Sequence, residues 1–450
     1  MAALKDNKPK ENLSSNNTIG TQYIFVALIL LLCTLLFGIL GALQYVIPGL
    51  FRNNFSFEKV RPLHVSSAVF WILLSACGIV NYYLASIKGK LWSNKLYKWQ
   101  WYLLIIAIIL ILSSYILGIF GGREYWEFHP VLAVPIIIAW ILFIINVFKS
   151  INGFRNQPVY IWMWMTGVVF FLFTFLESYL WLIPAFRANV VKDMTIQWKS
   201  YGSMVGGWNM LIYGSSIYLL DKISGTEKYS YSRIAFVIYF LGLFNLMFNW
   251  GHHIYTLPIP KYIQYISYAV SMTELFLLGR IIYYWKTSIN TAKKHYHILS
   301  YRFLIAADVW IFLTLLLAIA MSIPAINIYT HGTHITVAHT MGATIGINSF
   351  LLLSFVFDMF NTHNQKIIHK ITIGLYITLA ALFVFWISLI IAGVIKANWQ
   401  MHNYTSIPFS VMMHTLHPYF ISFLIAGIVA SIGIFIIVFT LFSYNIKQKS

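Results

Sequence analysis

A chain of 450 residues with 60% hydrophobic residues, only 9% charged ones and a mean hydropathy of +0.75 cannot cover a water-facing surface. The composition excludes a soluble globular protein. The net charge of +18 would suit nucleic acid if it were clustered, so its distribution along the chain decides what it means.

Met1 to Thr21 is polar and charged, unlike a cleavable signal peptide, and reads as a disordered tail over 1–20. Apolar runs then recur, among them Tyr23–Leu50, Trp101–Phe120 and Tyr419–Phe442. Each reaches or exceeds the roughly 20 residues that carry a helix across the hydrocarbon core. A bilayer offers free backbone amides no partner, so these runs are expected as helices. About twelve spans follow in order: 21–50, 62–87, 99–120, 129–148, 158–186, 199–220, 232–254, 261–285, 299–324, 332–358, 368–396 and 407–443. They form one all-α membrane domain over 21–443, with 444–450 as a second tail. Lys and Arg crowd one set of connections, from Lys5 and Lys88 through Lys222 and Lys294 to Lys447, and are about half as frequent in the other. This bias predicts that both termini lie in the cytoplasm, with the chain in the inner membrane. The charge is thus a topology signal. Membrane lipid is a partner, and nucleic acid is not.

The two cysteines, Cys33 and Cys77, fall inside apolar spans and read as packing residues. There is no C-x-x-C-H, so haem c has no covalent attachment site here.

The fourteen histidines carry the information. On this topology span two begins at the outer face with Arg61-Pro62-Leu63-His64. Span seven ends there with Trp250-Gly251-His252-His253, and span ten starts there with Thr330-His331-Gly332-Thr333-His334, then His339. Three distant segments thus place histidines at one depth, and ligating groups inside a membrane mark function. Neutral imidazole binds iron, copper and zinc. On a regular helix the rings of His252 and His253 would diverge by about 100°. They can meet one metal only where the helix end distorts, which Gly251, Pro258 and Pro260 permit. His339 and Met341 are separated by about 200° and address opposite sides of span ten. A thioether is a credible haem-iron ligand.

Four segments together carry a resemblance. They are Arg61-Pro62-Leu63-His64, Gly121-Gly122-Arg123-Glu124-Tyr125-Trp126-Glu127, Trp250-Gly251-His252-His253, and Tyr329-Thr330-His331-Gly332-Thr333 through His339. In this order the chain resembles the large catalytic subunit of the haem–copper oxidase superfamily, most of all the nitric oxide reductase branch and its C-type oxidase relatives. The resemblance implies two haems b and a non-haem iron or copper. In it His64 matches an axial ligand of the low-spin haem, and His339 the proximal ligand of the high-spin haem. His252 and His253 match two of three histidines on the non-haem metal. Glu124 matches a carboxylate near the haem propionates, in some members a calcium ligand. Glu127 matches a carboxylate linked to proton supply. Glu274 matches a reductase glutamate below the binuclear site.

Three departures qualify it. The family's His-x-His in span ten reads His339-Thr340-Met341, which makes Met341 the second low-spin ligand. Span six lacks the third metal histidine and the glutamates, with Tyr201 or Ser203 and Val205 or Asn209 in their places. Leu246 stands where C-type oxidases carry a redox tyrosine. The expected function is reduction of two NO to N2O, with catalytic roles for Glu274, Glu127 and Tyr201. Electrons would come from a membrane-anchored cytochrome c partner or another donor. Two alternatives stay open, a divergent terminal oxygen reductase and a haem-bearing sensor or paralogue with an incomplete non-haem site.

Overall fold

The computed structural model describes residues 19–449 apart from 152, 289 and 290, and leaves out the side chains of 249, 274–278, 280–293 and 445–449. The tail expected over 1–20 therefore lies almost wholly outside the described residues, as does the side chain of Glu274. The described chain is helical, its only extended pairing being an isolated bridge between Arg123 and Trp126.

The long helices are α1 (Thr21–Val46), α2 (Phe57–Lys88), α3 (Asn94–Leu117) and α4 (Ala133–Ser150). Next come α5 (Val159–Glu177), α6 (Val190–Ser224), α7 (Arg233–Phe248) and α8 (Lys261–Ser288). Last come α9 (Ile298–Ser322), α10 (His334–Met359), α11 (Gln365–Asn398) and α12 (Phe409–Lys449). Among the described residues, ten are apolar and long enough to cross a membrane. Of the other two, α6 is less apolar, its middle being rich in Gly, Ser and Tyr, and much of α8 lies outside the described side chains. Each expected span thus corresponds to one helix. The ends follow from local chemistry. Ser93 and Asn189 accept backbone N–H groups at the starts of α3 and α6. Gly225 closes α6 at φ 67°, a left-handed conformation that glycine adopts without penalty.

Neighbouring helices pack in sequence order, and α12 returns onto α1 to close the bundle. The interior belongs to α2 and α10, whose apolar windows are 83% and 72% buried, against 24% for α7. They run parallel, because Trp71 Nε1 donates to Ser349 Oγ at 2.9 Å and, further along both, Tyr83 meets the Phe355 ring at 6.2 Å. At that far end Lys222 Nζ bonds Asp358 at 2.7 Å, and His297 approaches the same carboxylate at 3.6 Å. A buried carboxylate must be paired, and here α6 and the segment leading into α9 supply the partners. Between its two α-helical parts α10 opens into a π-helical stretch, Gly342–Ser349, starting directly after Met341. Such stretches cluster at functional sites.

Candidate functional site

His64 stands two turns inside the start of α2. Its Nδ1 lies 2.8 Å from the Thr34 carbonyl of α1, which orients the ring and leaves Nε2 for another partner. Thr34 is able to hold the ring because Gly38, one turn on, has no side chain. A Cβ there would lie 2.9 Å from the imidazole. One turn before His64, Arg61 reaches into the 118–129 loop and bonds Glu124 at 2.5 Å and Glu127 at 2.9 Å. The loop is folded tightly enough to aim both carboxylates. Gly121 and Gly122 donate to the Glu127 carbonyl at 3.0 Å, and a Cβ on Gly122 would overlap the Trp126 carbonyl oxygen. Arg123 pairs with Asp193 of α6 at 2.7 Å and lies over the Trp181 ring at 4.9 Å. Burial pushes the Glu127 carboxyl above the ordinary carboxylate range, although Arg61 pulls it back in part. Its second oxygen is buried without a hydrogen bond.

The parallel run of α2 and α10 puts His64 and Met341 at similar levels of the two helices. Counting back from the Trp71–Ser349 bond, His64 is about 10 Å towards the start of α2, and Met341 lies at the other end of the π-helical stretch, a similar way towards the start of α10. His64 is two turns before Trp71 and so shares the helix face that Trp71 turns towards α10. The imidazole and the thioether therefore lie at similar levels on neighbouring interior helices.

The second cluster is built by α7 and α10. Helix α7 tightens into a 3-10 turn, Asn249–Ile254, and this distortion brings the His252 and His253 rings to 4.2 Å between centroids. Regular helix would have splayed them. Ser267 of α8 accepts the His252 backbone N–H at 3.1 Å, and Asn327 donates to the His252 carbonyl at 3.2 Å. The His253 ring is stacked on Trp198 of α6, with centroids 5.0 Å apart and planes 13° from parallel. His253 is also within electrostatic range of His252, His331 and His339. The histidines of spans seven and ten thus lie within electrostatic range of one another. His339 is half-buried beside the Thr314 backbone of α9, and its Nδ1 lacks a well-formed hydrogen bond. His334 packs instead against Phe420 and Tyr45.

Span six behaves differently from what its alignment suggests. Tyr201 lies edge-on to Tyr125 at 5.3 Å and within electrostatic range of Glu127, Glu124 and Arg123. This makes it a neighbour of the loop carboxylates. The aromatic partner of the imidazole pair on α6 is Trp198, one turn earlier, and not Tyr201. The Ser203 hydroxyl donates to the Leu246 carbonyl at 2.6 Å, so it serves to tie α6 to α7. Val205 is 37% exposed and belongs to the outer surface of the bundle. Trp198, Thr34 and Gly38 carry no motif, and nothing in the sequence marks them. Outside the proposed site, His417 Nε2 meets the Val46 carbonyl at 3.1 Å, and Glu177 is paired with Lys199.

Do these residues fit the groups a haem-binding chain would hold? For haem they do. An oriented imidazole at His64, a thioether at a similar level and a half-buried His339 with an unsatisfied ring nitrogen are suitable donors. For a three-histidine metal site they do not. Among the described residues no three His, Cys, Asp or Glu side chains converge on one point.

Residues 18–429 match the family described as Cytochrome C and Quinol oxidase polypeptide I. A nitric oxide reductase chain of Stutzerimonas stutzeri is 22% identical over 76% of this chain and 74% of its own length. The Cbb3-type cytochrome c oxidase subunit CcoN1 of the same organism is 22% identical over 85% of each chain. Cytochrome c oxidase subunit 1 of Rhodobacter capsulatus is 21% identical over 93% of this chain and 84% of its own. A solved haem–copper terminal oxidase dimer superposes with a TM-score of 0.73 at 14% identity, over 95% of this chain and 84% of that one.

Proposed function

This chain belongs to the Cytochrome C and Quinol oxidase polypeptide I family, the haem–copper oxidase subunit I proteins, and from that premise we propose that it reduces nitric oxide. It is a multi-pass membrane protein of an oxidoreductase family. The proposed reaction joins two NO with two electrons and two protons to give N2O and water. The observation that carries it is the pairing of the His252 and His253 rings at 4.2 Å, with His339 within electrostatic range of His253 and Leu246 where an oxidase-type tyrosine would stand.

His64 and Met341 would hold a low-spin haem b and His339 a high-spin one, which when bound supplies iron for a diatomic gas. The protein's own part is positioning and protonation. His252 and His253 stand side by side at the end of α7, and Trp198 fixes the His253 plane. Glu127 keeps a proton at higher pH than an ordinary carboxylate, and Arg61 holds it beside Glu124 at the start of the His64 helix. In this reading Glu127 supplies protons, Tyr201 lines its path, Glu274 acts from α8, and Glu124 serves the propionate side or a calcium ion. Any non-haem metal would be iron, which His252 and His253 would hold together with an oxygen donor, since hard donors suit iron better than copper. The electron donor is a membrane-anchored cytochrome c, the termini are cytoplasmic, and the membrane is the inner one.

The test is anaerobic turnover of the purified chain with a reduced artificial donor. Consumption of NO with half as much N2O formed is the expected result. Oxygen uptake without N2O formation would assign the chain to terminal oxidation. A second reading, a haem sensor or paralogue, draws on the absence of a converging three-ligand set among the described residues. It predicts NO binding with no N2O.

A further inference from the structure

On the flank of the bundle, away from the histidines, α9 and α11 touch at two levels. Arg302 Nη1 donates to Thr372 Oγ1 near the starts of both helices, and Trp310 meets Trp386 edge-on at 5.9 Å further along. Between these contacts the helices part and leave a groove of about 350 Å³. Ile305, Ala306 and Val309 line it on one side, and Leu375, Leu379 and Phe383 on the other. Val309 is 52% and Phe383 48% exposed, so the groove opens sideways. In a membrane-spanning helix pair, sideways means towards lipid.

The groove's polar end carries positive charge only. Arg302 uses one N–H on Thr372 and has no carboxylate partner among the described residues. Lys294 sits over the ring of Tyr301, another lining residue, with Nζ 5.5 Å from its centroid. Among the described residues no Asp or Glu lines the groove. A guanidinium with free N–H groups in a fixed fork suits a phosphate, and an ammonium adds a point charge beside it. Basic pockets between helices at a membrane face take anionic headgroups.

We propose that this groove is a binding site for an anionic phospholipid, with an acyl chain between α9 and α11 and the phosphodiester on Arg302 and Lys294. The apolar length selects a lipid over free phosphate, and the unopposed charge selects an anionic headgroup over a zwitterionic one. The site is independent of the haem ligands, so it stands whatever gas the protein reduces.

The experiment is native mass spectrometry of the full detergent-purified chain, titrated with phosphatidylglycerol and separately with phosphatidylcholine. The wild type should favour phosphatidylglycerol by at least about fivefold, the scale of one basic residue at a membrane surface. Arg302→Gln should erase that preference. Ala306→Trp, which fills the apolar walls and leaves Arg302 in place, should lower the occupancy of both lipids. Circular dichroism and haem content confirm that each variant is folded. If Arg302→Gln does not fold, the Ala306→Trp result and Lys294→Gln decide. Equal binding of the two lipids by the wild type would overturn the proposal, as would an undiminished preference in the folded variants. Retention of a quinol in place of phospholipid would overturn it too.

Discussion

The surroundings of His64 and of the His252–His253 pair are built on different principles. His64 is held by polar geometry, with a backbone carbonyl on Nδ1, a glycine that makes room and an arginine–carboxylate triad one turn away. The pair is held by shape: a tightened helix end, a stacked indole and hydrogen bonds to its backbone. A ring fixed through its own nitrogen presents one defined lone pair. A ring seated by stacking, as His253 is on Trp198, has its plane set by the indole face. The first arrangement suits a permanent axial ligand, and the second suits a weaker or exchangeable partner.

Several measurements would break or sharpen this contrast. The largest effect is expected at His339, where replacement by Ala should abolish NO turnover and CO binding to the reduced protein while sparing most low-spin signal. CO binding at the wild-type level would remove His339 from the site. Next, His64→Ala should lose the low-spin haem spectrum while the fold survives, and an unchanged spectrum would refute the axial role. A smaller effect concerns the metal. With only two imidazoles to hold it, any non-haem iron should be lost on mild chelation, and His253→Ala should retain none. Stoichiometric copper that resists chelation would reverse the argument and favour the oxidase reading.

A finer effect concerns Glu127. Burial raises its folded-state pKa, so the protonated carboxyl should persist above the ordinary range near about 4.3. Its contribution to stability is greatest at low pH and declines as pH rises through that window. Infrared titration should show a carboxyl band that is absent in Glu127→Gln. Its midpoint should move further up in Arg61→Gln, because Arg61 opposes the shift. A midpoint that stays put would mean that Arg61 and Glu127 do not interact in the membrane. The smallest change is Gly38→Ala, which should perturb the low-spin band without loss of haem, since the new methyl group lies against the His64 ring.

The sequence by itself determined the membrane class, the helix count and the histidine-bearing segments. Each depends on local quantities, namely apolar length, the basic residues between runs and residue order. It also showed what span six lacks. Only the tertiary structure decided which side chains occupy the space left by those missing ligands. Tyr201 and Trp198 sit one turn apart on α6, yet the loop carboxylates claim the first and His253 the second. Spacing along a single helix cannot distinguish them, because the choice depends on how α6 is rotated against α7 and the 118–129 loop. The union of Arg61 with Glu124 and Glu127 and the Trp71–Ser349 bond that aligns α2 with α10 are likewise contacts between distant segments. Packing of the whole bundle fixes them, and no stretch of sequence contains that information.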